Sequence, residues 1–240
     1  MTEYIVAGLF FIFSVLIAAH SFWFAEEIAL SADLSAEGES VAVRRRYNPA
    51  TMVPFIRKLK ISRWLQILVL SSAAVSAVFI QMHRGDMWVD VLKTAMLAST
   101  LLAVSVVDWH TKKIPNYFIV ALIVIRLPLL VLEFLFRREQ FKSVLISSLI
   151  GLLLGLLILL FFSIITKGGF GMGDVKIVAA SGFFVGLLPA ICSLLYGMVI
   201  CMMASLVLII MKKKTMKDVM PFGPFFFFGY IVLAIFGTFQ

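Results

Sequence analysis

Apolar residues in this chain fall in long, nearly unbroken blocks. They show neither the three-and-four spacing of an amphipathic helix nor the alternation of a half-buried strand. The blocks lie near 4–30, 63–82, 87–108, 115–135, 142–165, 175–190, 191–211 and 222–239 and hold few charges, and about 20 such residues cross a bilayer as one helix. Because lipid leaves no backbone group to water, a chain so patterned closes its hydrogen bonds within helices. The pattern predicts an all-α fold, a polytopic membrane helical bundle of about eight transmembrane helices. The least marked boundary separates 175–190 from 191–211, where Gly186 and Pro189 alone interrupt the apolar stretch.

Polar residues divide the chain once. Residues 1–62 comprise a first span and a short loop, and residues 63–240 form one membrane-embedded domain. The loop, Ser31 to Ser62, starts acidic, turns basic at Arg44 and contains Pro49 and Pro54. It is too short and too interrupted to build a core of its own. The first apolar run follows Glu3 with no Lys or Arg before it, so it reads as a retained span rather than a cleaved signal.

Composition agrees with the pattern: 62% of residues are hydrophobic and 14% charged, with mean hydropathy +1.07, whereas soluble domains run near 45–50% and 25%. The lipid bilayer is therefore the first partner. The net charge of +8 does not point to nucleic acid, because most of it flanks the spans. With the N-terminus outside, the inner loops hold Arg44, Arg45, Arg46, Arg57, Lys58, Lys60, Arg63, Lys112, Lys113, Lys167, Lys176, Lys212, Lys213, Lys214 and Lys217. The outer loops keep Arg84, Arg137, Arg138 and Lys142. That asymmetry places the N-terminus outside. Cys192 and Cys201 read as packing residues, and His20, His83 and His110 are scattered, so no metal site is expected.

The chemistry rests on two carboxylates. Of six aspartates, Asp33 and Asp86 lie in loops, Asp218 in a Lys-rich turn and Asp90 at the opposite membrane side, leaving Asp108 and Asp174 at one depth. Ionisable groups near hydrocarbon are costly and usually functional. Two carboxylates sharing a proton can hydrolyse a peptide bond, one as base and one as acid. Taken singly, each has a plain reading, Asp174 as a helix cap and Asp108 as a partner of Lys112. Glycines Gly168, Gly169, Gly171 and Gly173 precede Asp174. Gly171 and Gly173 are candidates for holding substrate backbone extended beside it. Lys176 follows Asp174 as a candidate substrate contact or a snorkelling lysine. Pro221 and Gly223 open the last span, and Glu26 with Glu27, at the inner end of the first, are candidates to receive a basic peptide.

These residues resemble a known family. Asp108 followed by Ile114-Pro115-Asn116, then Gly171 to Lys176, then Pro221 to Pro224 is similar, in that order, to the type IV prepilin peptidases, within the wider Gly-x-Gly-Asp membrane aspartyl proteases. The resemblance implies that Asp108 and Asp174 are the catalytic pair, with Gly171 and Gly173 as motif glycines. It implies substrates that are type IV prepilins or pseudopilins, cleaved behind a short basic leader at the cytoplasmic face of the bacterial inner membrane. Many members also methylate the new N-terminus with S-adenosylmethionine, whereas proteolysis itself needs no cofactor. The long form of the family carries two Cys-x-x-Cys pairs in its first loop, and Ser31 to Ser62 has none, so zinc is not expected. Two other readings stand beside this one: a presenilin-like or signal-peptide-peptidase-like protease, and a transporter subunit whose aspartates carry protons or cations.

Overall fold

The computed structural model describes residues 7–21, 61–165, 171–212 and 220–237, with side chains from residue 66 in the second segment. Their regular structure is helical throughout. In chain order the helices are α1 (Ala7–Ser21), α2 (Ile61–Arg84), α3 (Trp88–Thr111), α4 (Asn116–Phe136), α5 (Phe141–Ile165), α6 (Met172–Val185), α7 (Leu187–Ile210) and α8 (Gly223–Phe236). Five of them, α2, α3, α4, α5 and α7, are long and apolar enough to cross a membrane, and α1 and α8 are shorter apolar helices. At 14 residues, α6 is about 21 Å long, less than the hydrocarbon thickness of about 30 Å.

Turn chemistry sets these boundaries. Gly85 takes φ +76° between α2 and α3. After α3, Lys112 adopts the left-handed conformation and donates its N–H to the Asp108 carbonyl, and extended Pro115 then starts α4. The break between α6 and α7 falls at Gly186 rather than at 190, which corrects the boundary expected from the apolar pattern. Gly186 has φ 92° and ψ 179°, a region open essentially to glycine alone. Pro189 lies inside the first turn of α7, where a missing N–H costs nothing.

Packing follows the small residues. A Cβ on Gly182 would lie 2.3 Å from the Gly151 carbonyl oxygen, and one on Gly155 would lie 3.3 Å from the Ala179 backbone, so α5 and α6 run antiparallel in backbone contact. A Cβ on Gly229 would meet Ser193 and Gly197 of α7 at 2.4 and 2.5 Å, which fixes α7 antiparallel to α8. Close backbone approach of this kind holds helices together where lipid offers no hydrophobic drive. Helix α3 is the axis of the bundle, with Leu97, Leu101, Leu102, Val104 and Val107 buried, and α8 lies against it with Phe226, Phe227 and Leu233 buried. Outward faces of α4, α5 and α7 expose Val124, Leu127, Leu153, Leu157, Met202 and Leu206, a surface suited to lipid. Buried serines largely satisfy themselves: Ser99, Ser181 and Ser193 each donate to a carbonyl one turn back, as serines do inside helices.

Candidate active site

One helix end and two helix starts converge at one end of the bundle. Asp108 lies three residues before the end of α3 and is 3% exposed. Its Oδ2 accepts the backbone N–H of Gly223, the first residue of α8, at 2.8 Å. A Cβ on Gly223 would fall 2.9 Å from that oxygen and 3.0 Å from Asp108 Cβ. The approach is open only to a residue without a side chain.

Asp174 sits in the first turn of α6, where its Oδ2 accepts the Gly171 N–H at 3.1 Å. This is the carboxylate half of a capping box, so the helix-cap reading describes one oxygen of the group. The other oxygen, Oδ1, is buried without a hydrogen-bond partner. Asp174 lies outside the five candidate spans. Burial first, and then the charge of Asp108, push its pKa up to about 7, the Gly171 N–H opposing. The two carboxyl groups come from separate helices, and a negative charge on Asp108 disfavours a second one on Asp174.

The remaining sequence candidates take distinct places. Gly173 packs on the loop before α4, where its Cβ would come 3.0 Å from Ile114 Cβ, so Ile114 seats the start of α6. Gly171 uses its N–H on Asp174. Lys176 is exposed and its Nζ donates to Asn116 Oδ1 at 3.2 Å, joining the starts of α6 and α4 at the rim. Pro221 is buried beside Gly223 at the entrance to α8. Glu26 and Glu27, with the Ser31 to Ser62 loop as far as residue 60, lie outside the described residues. Among the described residues no group of three or more His, Cys, Asp or Glu could hold a metal ion.

Between α2, α3 and α8, a mainly apolar cavity of about 310 Å³ is lined by Val69, Leu70, Val106, Trp109, Pro224 and Phe228, with Gln66 and Ser105 as polar groups. Two of its lining residues are chain neighbours of the Asp108–Gly223 contact, Trp109 following Asp108 and Pro224 following Gly223.

A second polar cluster was not visible as such in the sequence. Glu133, fully buried, receives Arg126 Nη2 at 2.9 Å and Lys93 Nζ at 2.8 Å. Lys93 also meets Asp90 at 2.9 Å, and Arg137 pairs with Asp90 in turn. Arg126 and Glu133 stand seven residues apart on one face of α4, a spacing that could have flagged the pair. Asp90 and Arg137 put the outer part of this network at the end of the bundle opposite Asp108.

A model of the type IV leader peptidase family matches residues 95–206, which contain Asp108, Asp174 and the turn between α6 and α7. A curated relative from Bacillus subtilis (strain 168), the prepilin leader peptidase/N-methyltransferase, is 24% identical over 156 residues. That alignment takes in 64% of this chain and 59% of the relative, so the chain spans less than two thirds of the length of the curated relative it matches. No solved structure matches. The matched segment covers Asp108 and Gly171 to Lys176, while Gly223 lies beyond its end.

Proposed function

We propose that this protein is a membrane aspartyl endopeptidase that removes the short basic leader from type IV prepilins or pseudopilins. It would act at the cytoplasmic face of the bacterial inner membrane. The reading is supported by buried Asp108 at the end of α3 and half-buried Asp174 at the start of α6, the charge of one acting on the other, in a chain whose residues 95–206 match a model of the type IV leader peptidase family. In hydrolysis one carboxylate takes a proton from water while the water oxygen bonds to the scissile carbonyl carbon. The other carboxyl gives its proton to the carbonyl oxygen. As the tetrahedral species collapses, the C–N bond breaks, the departing nitrogen takes the proton that the first carboxylate drew from water, and the re-forming carbonyl returns its proton to the second.

Neither step draws on a metal or cofactor. The name of the Bacillus subtilis relative adds N-methyltransferase, and that second reaction would take its methyl group from S-adenosylmethionine. Gly171, Gly173, Lys176, Pro221 and Gly223 border the pair, and the apolar cavity by Trp109 offers room for a substrate side chain. Glu26 and Glu27 are proposed to receive the basic leader. The test is purified protein in detergent mixed with leader-bearing prepilins and S-adenosylmethionine, read by mass spectrometry. Leader loss supports the peptidase, and a further methyl on the new N-terminus supports the transferase. An intact prepilin at full enzyme loading overturns the reading.

A further inference from the structure

The two carboxyl groups are held differently. Both accept a backbone N–H at a helix start, but Gly171 lies three residues from Asp174 and its bond is exposed and 3.1 Å long. Gly223 is 115 residues from Asp108, and its bond is buried and 2.8 Å long. Charge-assisted bonds gain strength when short and shielded from water. The start of α8 also directs its positive end at Asp108, offsetting the negative end of α3 on which Asp108 rides. Asp174 benefits in the same way from the start of α6, yet it keeps Oδ1 buried with no partner. An unpartnered buried oxygen is tolerated far better on a protonated carboxyl than on an anion.

Resting on the peptidase reading above, we propose that Gly223 is a positioning residue that holds Asp108 as the ionised base, leaving the shared proton on Asp174 as the acid. The glycine is required because a Cβ would enter the carboxylate, and its N–H selects which member of the pair is charged. Other titratable groups toward this end are His20 on α1, Asp174 and Lys176 on α6, His110, Lys112 and Lys113 around the end of α3, Tyr117 on α4, and Cys201 on α7 with Lys212 just past its end. Lys176 is turned to Asn116. The described titratable side chains of α2 and α8 (His83, Arg84 and Tyr230) belong to the far part of the bundle, with Tyr230 bonded to Thr94.

The experiment is the pH profile of prepilin cleavage by wild type and Gly223→Ala. Loss of the Gly223 bond is expected to move the acidic limb up by about one pH unit and to lower kcat about tenfold with KM little changed. A normal profile, or a loss confined to KM, overturns the proposal. If Gly223→Ala is too unstable to assay, thermal unfolding of Gly223→Ala, Asp108→Ala and the double variant decides. The glycine change should destabilise less when the Asp108 carboxylate has been removed, only the 3.0 Å approach to its Cβ remaining, and equal destabilisation in both backgrounds rejects the contact. A wild type that leaves prepilins intact defeats the peptidase reading, while the unfolding cycle still reports on Gly223 and Asp108.

Discussion

Arg126 donates its Nε–H to the carbonyl oxygen of Phe183 at 3.2 Å, so a guanidinium inside α4 closes the end of the short helix that begins beside Asp174. The same side chain reaches Ser148 Oγ at 3.1 Å and Glu133, tying α4, α5 and α6 together. Helix α6 stops within the bundle, and its last carbonyls need donors that lipid cannot supply. Removing one partner of a buried ion pair typically costs about 3–5 kcal/mol, whereas replacing both with apolar groups can be nearly neutral. Arg126→Met is therefore expected to lower the unfolding temperature in detergent markedly, and Arg126→Met with Glu133→Leu to recover much of the loss. Lys93 keeps Asp90 in the double variant. A double variant as unstable as the single would show that the Phe183 and Ser148 contacts, not the charge pair, dominate.

Asp108→Asn and Asp174→Asn should each abolish leader removal while the protein still inserts, since a missing general acid or base costs about 10²–10⁴ in rate. Asp90→Asn is the control. Asp90 pairs with Lys93 and Arg137 away from the site, so this variant should keep its cleavage rate and lose only some thermal stability. Cleavage rates for all three, each with a fractionation check for insertion, provide the measurement.

The pKa of Asp174 gives a stability signature independent of any substrate. Its folded value, about 7 against an ordinary 3.8, means the folded protein holds a proton there that the unfolded chain releases. Stability from this group is thus fully present below about pH 4, falls as pH rises, and is gone above about pH 7. Unfolding midpoints measured between pH 4 and 7.5 should decline for wild type, and the part due to this carboxyl should vanish in Asp174→Asn. Parallel declines in the two proteins would show that Asp174 titrates normally.

Much of this arrangement is written locally in the chain, and the parts that are not share one cause. Long apolar blocks predict helices wherever they occur, and Asp108, Asp174 and the glycines before α6 stand out because polar and flexible residues are rare in such a sequence. What no local pattern carries is which distant backbone group meets which carboxylate. Gly223 reads as part of a proline-flanked helix start, and its role depends on α8 packing against α3. Arg126 is visible as a charge inside a span, but its reach to Phe183 exists only once α4 and α6 are side by side. The apolar pattern puts the α6–α7 break at 190, just after Pro189, whereas the backbone turns four residues earlier, at the glycine that can take φ 92°.

That turn provides its own prediction. A Cβ at Gly186 would face both a disfavoured backbone region and Ser147 Oγ at 2.7 Å, the hydroxyl that accepts the Leu187 N–H. Gly186→Ala should destabilise by about 1–3 kcal/mol. Gly85→Ala also sits at positive φ but in open space, and should cost less. Chemical denaturation of both variants compares them directly, and equal effects would mean that the Ser147 contact adds nothing.

Topology is the last test, because the proposed function needs the aspartates on the cytoplasmic side. The basic residues at the opposite end weaken a simple charge count, yet two of them have partners in the fold. Arg84 caps the last carbonyls of α8 through Gly237 and Ile235, and Arg137 pairs with Asp90. Lys112 and Lys113, past the end of α3, are exposed and extend the basic side that the orientation rule assigns to the cytoplasm. In intact cells, with Cys192 and Cys201 replaced by serine to remove background, a membrane-impermeant thiol reagent should label Arg138→Cys and spare Lys112→Cys until the membrane is opened. Labelling of Lys112→Cys from outside would move Asp108 and Asp174 to the far side and remove them from the path of a cytoplasmic leader.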